Sequence, residues 1–231
     1  FSNSSFLLFG AFLSLATISY WAKTLQVFQH NYAFIFLISA VVYCLMAIYF
    51  KSQTIWVLCI LMLAMAFGTF TGNSEELYLG MNFPMRYIPF SVALFSFMMY
   101  IRKSKQLNSF YKIHYVTGLL IFYLALWLVT IFGNYSSYER WQEVRQLQFL
   151  VWDGVLFAVA AAGMYLGLKR NDFVLGNISL VFFILNLVTR YFEYFWEPLH
   201  KSVFFMILAF IFWLIGSRSE KLWNLKFLEE K

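Results

Sequence analysis

The sequence predicts an all-α fold, a polytopic transmembrane helix bundle of about eight spans, and three observations carry that reading. First, 62% of the 231 residues are hydrophobic and 12% are charged, about half of the roughly 25% charged residues usual in soluble domains. Second, the apolar residues fall in runs long enough to cross a bilayer, with short polar turns between them. Third, the runs are continuous, whereas the strands of a β-barrel alternate apolar and polar residues. With a mean hydropathy of +0.69, this much apolar surface has no place inside a water-soluble globule of such size. Lipid is the solvent that accepts it, and the same numbers exclude disorder.

A helix rises about 1.5 Å per residue, so a hydrocarbon core of about 30 Å takes roughly 20 apolar residues. Taken in order, the runs predict spans near residues 6–22, 32–50, 55–71, 88–101, 113–133, 149–168, 173–191 and 199–216. The first follows Phe1-Ser-Asn-Ser-Ser, which has no basic n-region, so it reads as a span and not as a signal peptide. The second and third flank Lys51-Ser52, and the third ends at Gly72-Asn73. The fourth is the shortest, with Pro89 expected in its first helical turn. The fifth ends at Gly133-Asn134, and the sixth and seventh flank Lys169-Arg170. The residue before a proline avoids the helical region, so the seventh stops short of Pro198, which then stands at the opening of the eighth. Short loops and the lack of a polar insert make residues 1–231 one helical domain in this reading.

Three of the turns are basic and share a pattern: Phe50-Lys51-Ser52, Ile101-Arg102-Lys103-Ser104 and Leu168-Lys169-Arg170. The chain therefore reads either as repeated helical hairpins or as an ordinary short-looped bundle, which looks periodic in the same way. One side of the predicted topology holds Lys51, Arg102, Lys103, Lys105, Lys112, Lys169, Arg170, Arg218, Lys221, Lys226 and Lys231. The other holds Lys23, Arg86, Arg140, Arg145, Arg190 and Lys201, together with Glu75, Glu76, Glu139, Glu143, Asp153, Glu193 and Glu197. Eleven cations against six put both ends in the cytoplasm.

The net charge of +6 is spread over loops and does not gather into a phosphate-binding surface, so no nucleic-acid partner is expected. Cys44 and Cys59 lie at matching depth about the Lys51 turn and read as reduced, lipid-buried thiols. No cofactor is expected. Paired haem ligands would need two imidazoles facing each other at one depth; of His30, His114 and His200, only the first and last share a side, and both lie in loops or helix ends. No span carries metal-ligand spacing, and neither a phosphate loop nor a nucleophile elbow occurs.

An ionisable side chain at mid-bilayer costs about 2.5–3.5 kcal/mol on insertion scales, so the few inside these spans need an account. Asp153 lies about one turn inside the outer boundary of the sixth span and Arg190 at similar depth in the seventh, so the two could pair. Asn186, Arg190, Glu193 and Glu197 share one helix face. Asp153, Arg190 and Glu193 read either as an outward-facing polar cavity or as a structural ion pair near the interface. Residues 138–147 read as an amphipathic helix on the outer surface with Trp141 as anchor, either a plain connector, the preferred reading, or a lid with Trp141 and Arg145 as its candidate residues. Trp21, Trp141, Trp152 and Trp196 fit an outer aromatic belt.

The most characteristic stretch is Arg190-Tyr191-Phe192-Glu193, followed by Trp196-Glu197-Pro198, Ser202-Val203-Phe204-Phe205 and a basic tail. It resembles the end of a bacterial family of polytopic membrane proteins known only as a domain of unknown function. The resemblance implies a fold and an inner-membrane address, and no mechanism. Three functions follow from the sequence as expectations. The first is a non-enzymatic membrane component or scaffold that packs with membrane lipids and with another membrane or envelope protein or further copies of itself. The second is a small-solute transporter or channel using Asp153, Arg190 and Glu193. The third is an intramembrane enzyme acting on a lipid-linked substrate with a carboxylate as base.

Overall fold

The computed structural model describes residues 2–24, 32–72, 83–135, 138–144 and 146–217, and among these residues the fold is entirely helical. The helices fall into two compact units, Phe1–Phe149 and Leu150–Lys231. The first holds α1 (Ser2–Thr24), α2 (Ala33–Phe50), α3 (Gln53–Thr71), α4 (Phe83–Lys103), α5 (Tyr111–Phe132) and the short α6 (Tyr138–Gln142). The second holds α7 (Leu150–Lys169), α8 (Phe173–Phe195) and α9 (Lys201–Ser217). Six segments are long and apolar enough to cross a membrane: Ser5–Thr24, Ala33–Phe50, Gln53–Thr71, Asn108–Phe132, Leu150–Lys169 and Phe173–Phe195. The fourth and eighth expected spans are not among them. α4 has the length but carries Arg86, Arg102 and Lys103, and the apolar part of α9, Lys201–Leu214, is shorter.

Two of the hairpin turns use one device. At the end of α2, Lys51 takes the left-handed conformation (φ 49°, ψ 37°), and Ser52 N–H reaches back to Ala47 O at 3.1 Å. The Ser52 hydroxyl then accepts the Ile55 N–H at 3.4 Å and opens α3. At the end of α7, Asn171 is left-handed (φ 53°), and Asp172 N–H donates to Gly167 O at 2.7 Å. The Asp172 carboxylate accepts the N–H groups of Val174 and Leu175, both at 3.1 Å, opening α8. Each turn thus closes one helix with a left-handed residue and starts the next with a side-chain cap. The basic residues mark these turns in the sequence; the backbone and the caps make them.

In the first unit α4 runs the length of α3 in the opposite sense. At one end Arg86, in the first turns of α4, donates to Thr71 Oγ1 at 2.9 Å and Gly68 O at 3.4 Å, which sets a cation on the C-terminus of α3 where the helix dipole favours it. At the other end, just past α4, Phe110 stacks on Trp56 at 4.6 Å, and Gln53 donates to Ser109 O at 3.4 Å. Pro89 lies inside the helix and not in its first turn, because the helix begins at Phe83. That extra length is held by packing: Tyr87 donates to Ala64 O at 2.7 Å, and Phe67 lies against both Tyr87 and Phe90. Tyr43 ties α2 to α1 in the same manner, donating to Ala11 O at 2.6 Å.

The core of this unit gathers Tyr43, Ala47, Ile55, Trp56, Ile60, Ile101 and Phe110. Beside it His114, buried on α5, joins three helices. Its Nε2 lies 3.0 Å from Leu94 O on α4, and its Nδ1 lies 3.4 Å from Trp56 Nε1 on α3. A carbonyl only accepts and an indole N–H only donates, so His114 is the neutral tautomer with its proton on Nε2. Outside these contacts the long helices present large side chains: Phe6, Phe9, Phe12 and Trp21 on α1 are all more than half exposed. Such a surface suits hydrocarbon.

The 138–147 stretch is not one helix. α6 is followed by a 3-10 turn, Gln146–Phe149, and Trp141 donates its indole N–H to Ile131 O near the end of α5 at 2.9 Å. His30, Glu75, Glu76, Arg145 and the basic tail from Arg218 lie outside the described residues.

Candidate functional site

The second unit carries the buried charges. α7 and α8 form an antiparallel hairpin, and small residues bring them together near the turn. A Cβ placed on Gly167 would lie 2.7 Å from the Gly176 nitrogen, so the two backbones touch there. From Gly176 the same face of α8 continues through Ser179 and Asn186 to Arg190, each of them buried. At its far end this face meets the first turn of α7, where Asp153 is buried.

There Arg190 Nε lies 3.2 Å from Asp153 Oδ1, and Arg190 Nη1 also pairs with the Glu193 carboxylate one turn along α8. One guanidinium serves two carboxylates, and the formal charges of the three sum to one negative. Asn186, fully buried one turn deeper, finds no hydrogen-bond partner for its amide oxygen or nitrogen among the described residues. The Tyr194 hydroxyl is likewise buried without one. Glu197 is exposed past the end of α8 and stands outside the triad. Of the residues singled out from the sequence, Asp153, Arg190 and Glu193 therefore meet, Asn186 lies beneath them, and Glu197 does not join. Trp141 is engaged with α5 of the first unit, and Arg145 is outside the described residues.

Beside this polar face α8 has a second, apolar one, which the sequence reading passed over. Leu180, Ile184, Leu187 and Tyr191 recur at helical spacing and form the wall of a groove of about 690 Å³. Met164 of α7 and Leu208 and Ile211 of α9 close it, and its polar end is Arg190 and Tyr194. α9 is held against α8 by an aromatic cluster: Tyr191 donates to Phe204 O at 2.9 Å, and the Tyr191 and Phe204 rings lie 4.7 Å apart. The turn before α9 is closed by Lys201, which bonds to Trp196 O and sits 3.8 Å from the Trp196 ring centre. His200 serves this turn too, its Nδ1 accepting the Ser202 N–H at 3.4 Å.

Among the described residues, no group of three or more His, Cys, Asp or Glu side chains is placed to hold a metal ion. No family model, curated protein or solved structure matches this chain.

Proposed function

We propose that this chain is a non-enzymatic component of the bacterial inner membrane that packs with other membrane or envelope proteins or with copies of itself. The observation that carries this reading is the state of the charged cluster. Asp153, Arg190 and Glu193 neutralise one another to within one charge, and the adjoining space is walled by hydrocarbon. Groups so engaged serve cohesion, and an apolar groove offers no wet route to a polar solute. Terminal helices with little cover support the same role. Among the described residues, Ala11 is the one buried residue of α1 and Phe204 the one of α9, while Phe205, Phe210 and Trp213 are more than half exposed.

In this reading the chain crosses eight times with both ends cytoplasmic. The antiparallel run of α4 along α3 supports a fourth crossing, and the return of α9 along α8 supports an eighth. The eleven-to-six division of cations supports the orientation. The test is photocrosslinking in living cells from Phe9 on α1 and Phe210 on α9. The reading expects one recurrent protein adduct, heterologous or a second copy, from at least one of these faces. Lipid adducts alone from both positions, with a monomer in nanodiscs, would defeat it.

A small-solute pathway is the second reading, and one observation favours it: among the described residues Asn186, directly beneath the triad, has no hydrogen-bond partner for either amide atom. Uptake into proteoliposomes that Asp153→Asn leaves unchanged would remove this alternative.

A further inference from the structure

We infer that the groove of the second unit is a phospholipid site that takes one acyl chain along its apolar wall and a primary-amine, zwitterionic head group at its Arg190 end. The groove does not depend on the protein partner proposed above, because the exposed faces of α1 and α9 are other surfaces. Its volume of about 690 Å³ is in the range of sites that enclose a small ligand, roughly 300–1,000 Å³. Nearly all of its wall is aliphatic or aromatic carbon from Leu180, Ile184, Leu187, Leu208 and Ile211. A hydrophilic solute would gain nothing from such walls, whereas an alkyl chain matches them along their length.

The polar end selects the head group. Tyr194 stands there with a buried hydroxyl that has no hydrogen-bond partner among the described residues. A buried donor in that state calls for an acceptor, and a phosphate oxygen supplies one. Behind it Asp153, Arg190 and Glu193 carry one net negative charge, and adding exposed Glu197 and Lys201 leaves that sum unchanged. In a low-dielectric setting a single charge acts over several ångströms. A purely anionic head group, such as that of phosphatidylglycerol, would add to the net negative charge of the cluster that borders the groove through Arg190. The choline head group has the right charge but no N–H to donate. The ethanolamine head group brings a phosphate for Tyr194 and an N–H-bearing ammonium that the net negative charge of the bordering cluster attracts. The partnerless Tyr194 hydroxyl and the net charge of the bordering cluster favour that class.

The test uses the full chain, delipidated in mild detergent and offered phosphatidylethanolamine, phosphatidylcholine or phosphatidylglycerol with identical acyl chains, with retained lipid read by native mass spectrometry. Phosphatidylethanolamine is expected to be retained about fivefold better than phosphatidylglycerol, the effect of one good hydrogen bond. Leu187→Trp, which fills the groove from a half-exposed position, should lower retention about tenfold. Leu124→Trp, at an equally exposed position on α5, should leave it unchanged. Tyr194→Phe removes only the hydroxyl and should lower retention of all three lipids by a similar factor, because each carries the phosphate, while the head-group preference stays. Equal retention of all three lipids overturns the head-group assignment. Equal behaviour of Leu187→Trp and Leu124→Trp overturns the site itself and leaves ordinary boundary lipid. If Leu187→Trp breaks a dimer without touching lipid retention, the groove is a protein interface and the inference fails.

Discussion

Arg190 on α8 holds its Nε 3.2 Å from Asp153 Oδ1 on α7 while its Nη1 meets Glu193 on its own helix, so the two acids depend on one cation. That dependence is unequal. Removing Arg190 leaves the buried Asp153 carboxylate and the half-buried Glu193 carboxylate without their cation, whereas removing the Asp153 charge leaves the Arg190–Glu193 pair in place. Arg190→Gln should destabilise the second unit by about 3–5 kcal/mol, the cost of an uncompensated buried charge. Asp153→Asn should cost clearly less. Unfolding by denaturing detergent, followed by tryptophan fluorescence, ranks the two. Equal losses would mean that the triad is not the unit of stability described above.

The Gly167–Gly176 contact predicts a second asymmetry, this time between glycines. Gly167→Ala places a methyl carbon 2.7 Å from backbone, which cannot give way as a flexible side chain does. Overpacking of this kind costs about 1–3 kcal/mol, and the hairpin should loosen. Gly154→Ala on the same helix meets nothing within 4 Å, so it should be neutral or stabilising by up to about 1 kcal/mol through helix propensity. Thermal unfolding of the two variants side by side gives the answer. A Gly167→Ala variant as stable as Gly154→Ala would show that the helices do not approach so closely.

His114 offers a third test, by a double-mutant cycle. His114→Phe strands the Trp56 indole N–H and the added bond to Leu94 O in a dry interior, with an expected loss of about 1–3 kcal/mol. Trp56→Phe alone removes the donor and leaves His114 its bond to Leu94. If the Trp56–His114 bond contributes, the double variant will lose less than the sum of the singles. Strict additivity would reduce the 3.4 Å approach to simple packing.

Much of this could be read from the sequence, for identifiable reasons. Apolar runs mark the helices because lipid demands them, and their ends are legible within a few residues. The meeting of Asp153 and Arg190 was foreseeable because a short turn at Lys169-Arg170 makes α7 and α8 antiparallel, which places equal distances from the turn at equal depth. Glu197 misled, since sharing a helical face matters only while the helix lasts, and α8 ends at Phe195. The early start of α4 was hidden because Pro84, Arg86 and Pro89 look like loop residues, and their helix is supported by contacts to Gly68, Thr71 and Ala64 far away in sequence. The groove was missed because an apolar stripe on α8 looks the same whether it faces lipid, another helix or a space between helices. What distinguishes these is the position of α9, set by Tyr191 and Phe204.

The crossing of α4 is decided by a parity argument. If α3 and α4 both cross, the Lys51 turn and the loop around Lys105 lie on one side of the membrane; if α4 stays within one leaflet, they lie on opposite sides. Lys51 and Lys105 are both exposed, and Asn134, past the end of α5, is exposed too. Cys44→Ala and Cys59→Ala first remove the native thiols. Lys51→Cys, Lys105→Cys and Asn134→Cys are then introduced singly and treated with an impermeant maleimide in sealed vesicles of known orientation. Lys51→Cys and Lys105→Cys should be labelled together from the cytoplasmic face, and Asn134→Cys from the opposite one, as the distribution of Lys and Arg requires. Labelling of Lys51→Cys and Lys105→Cys from opposite faces would end the eight-crossing topology. The contact of Gln53 with Ser109 speaks against that outcome, because it joins the start of α3 to the approach of α5 at one end of the unit.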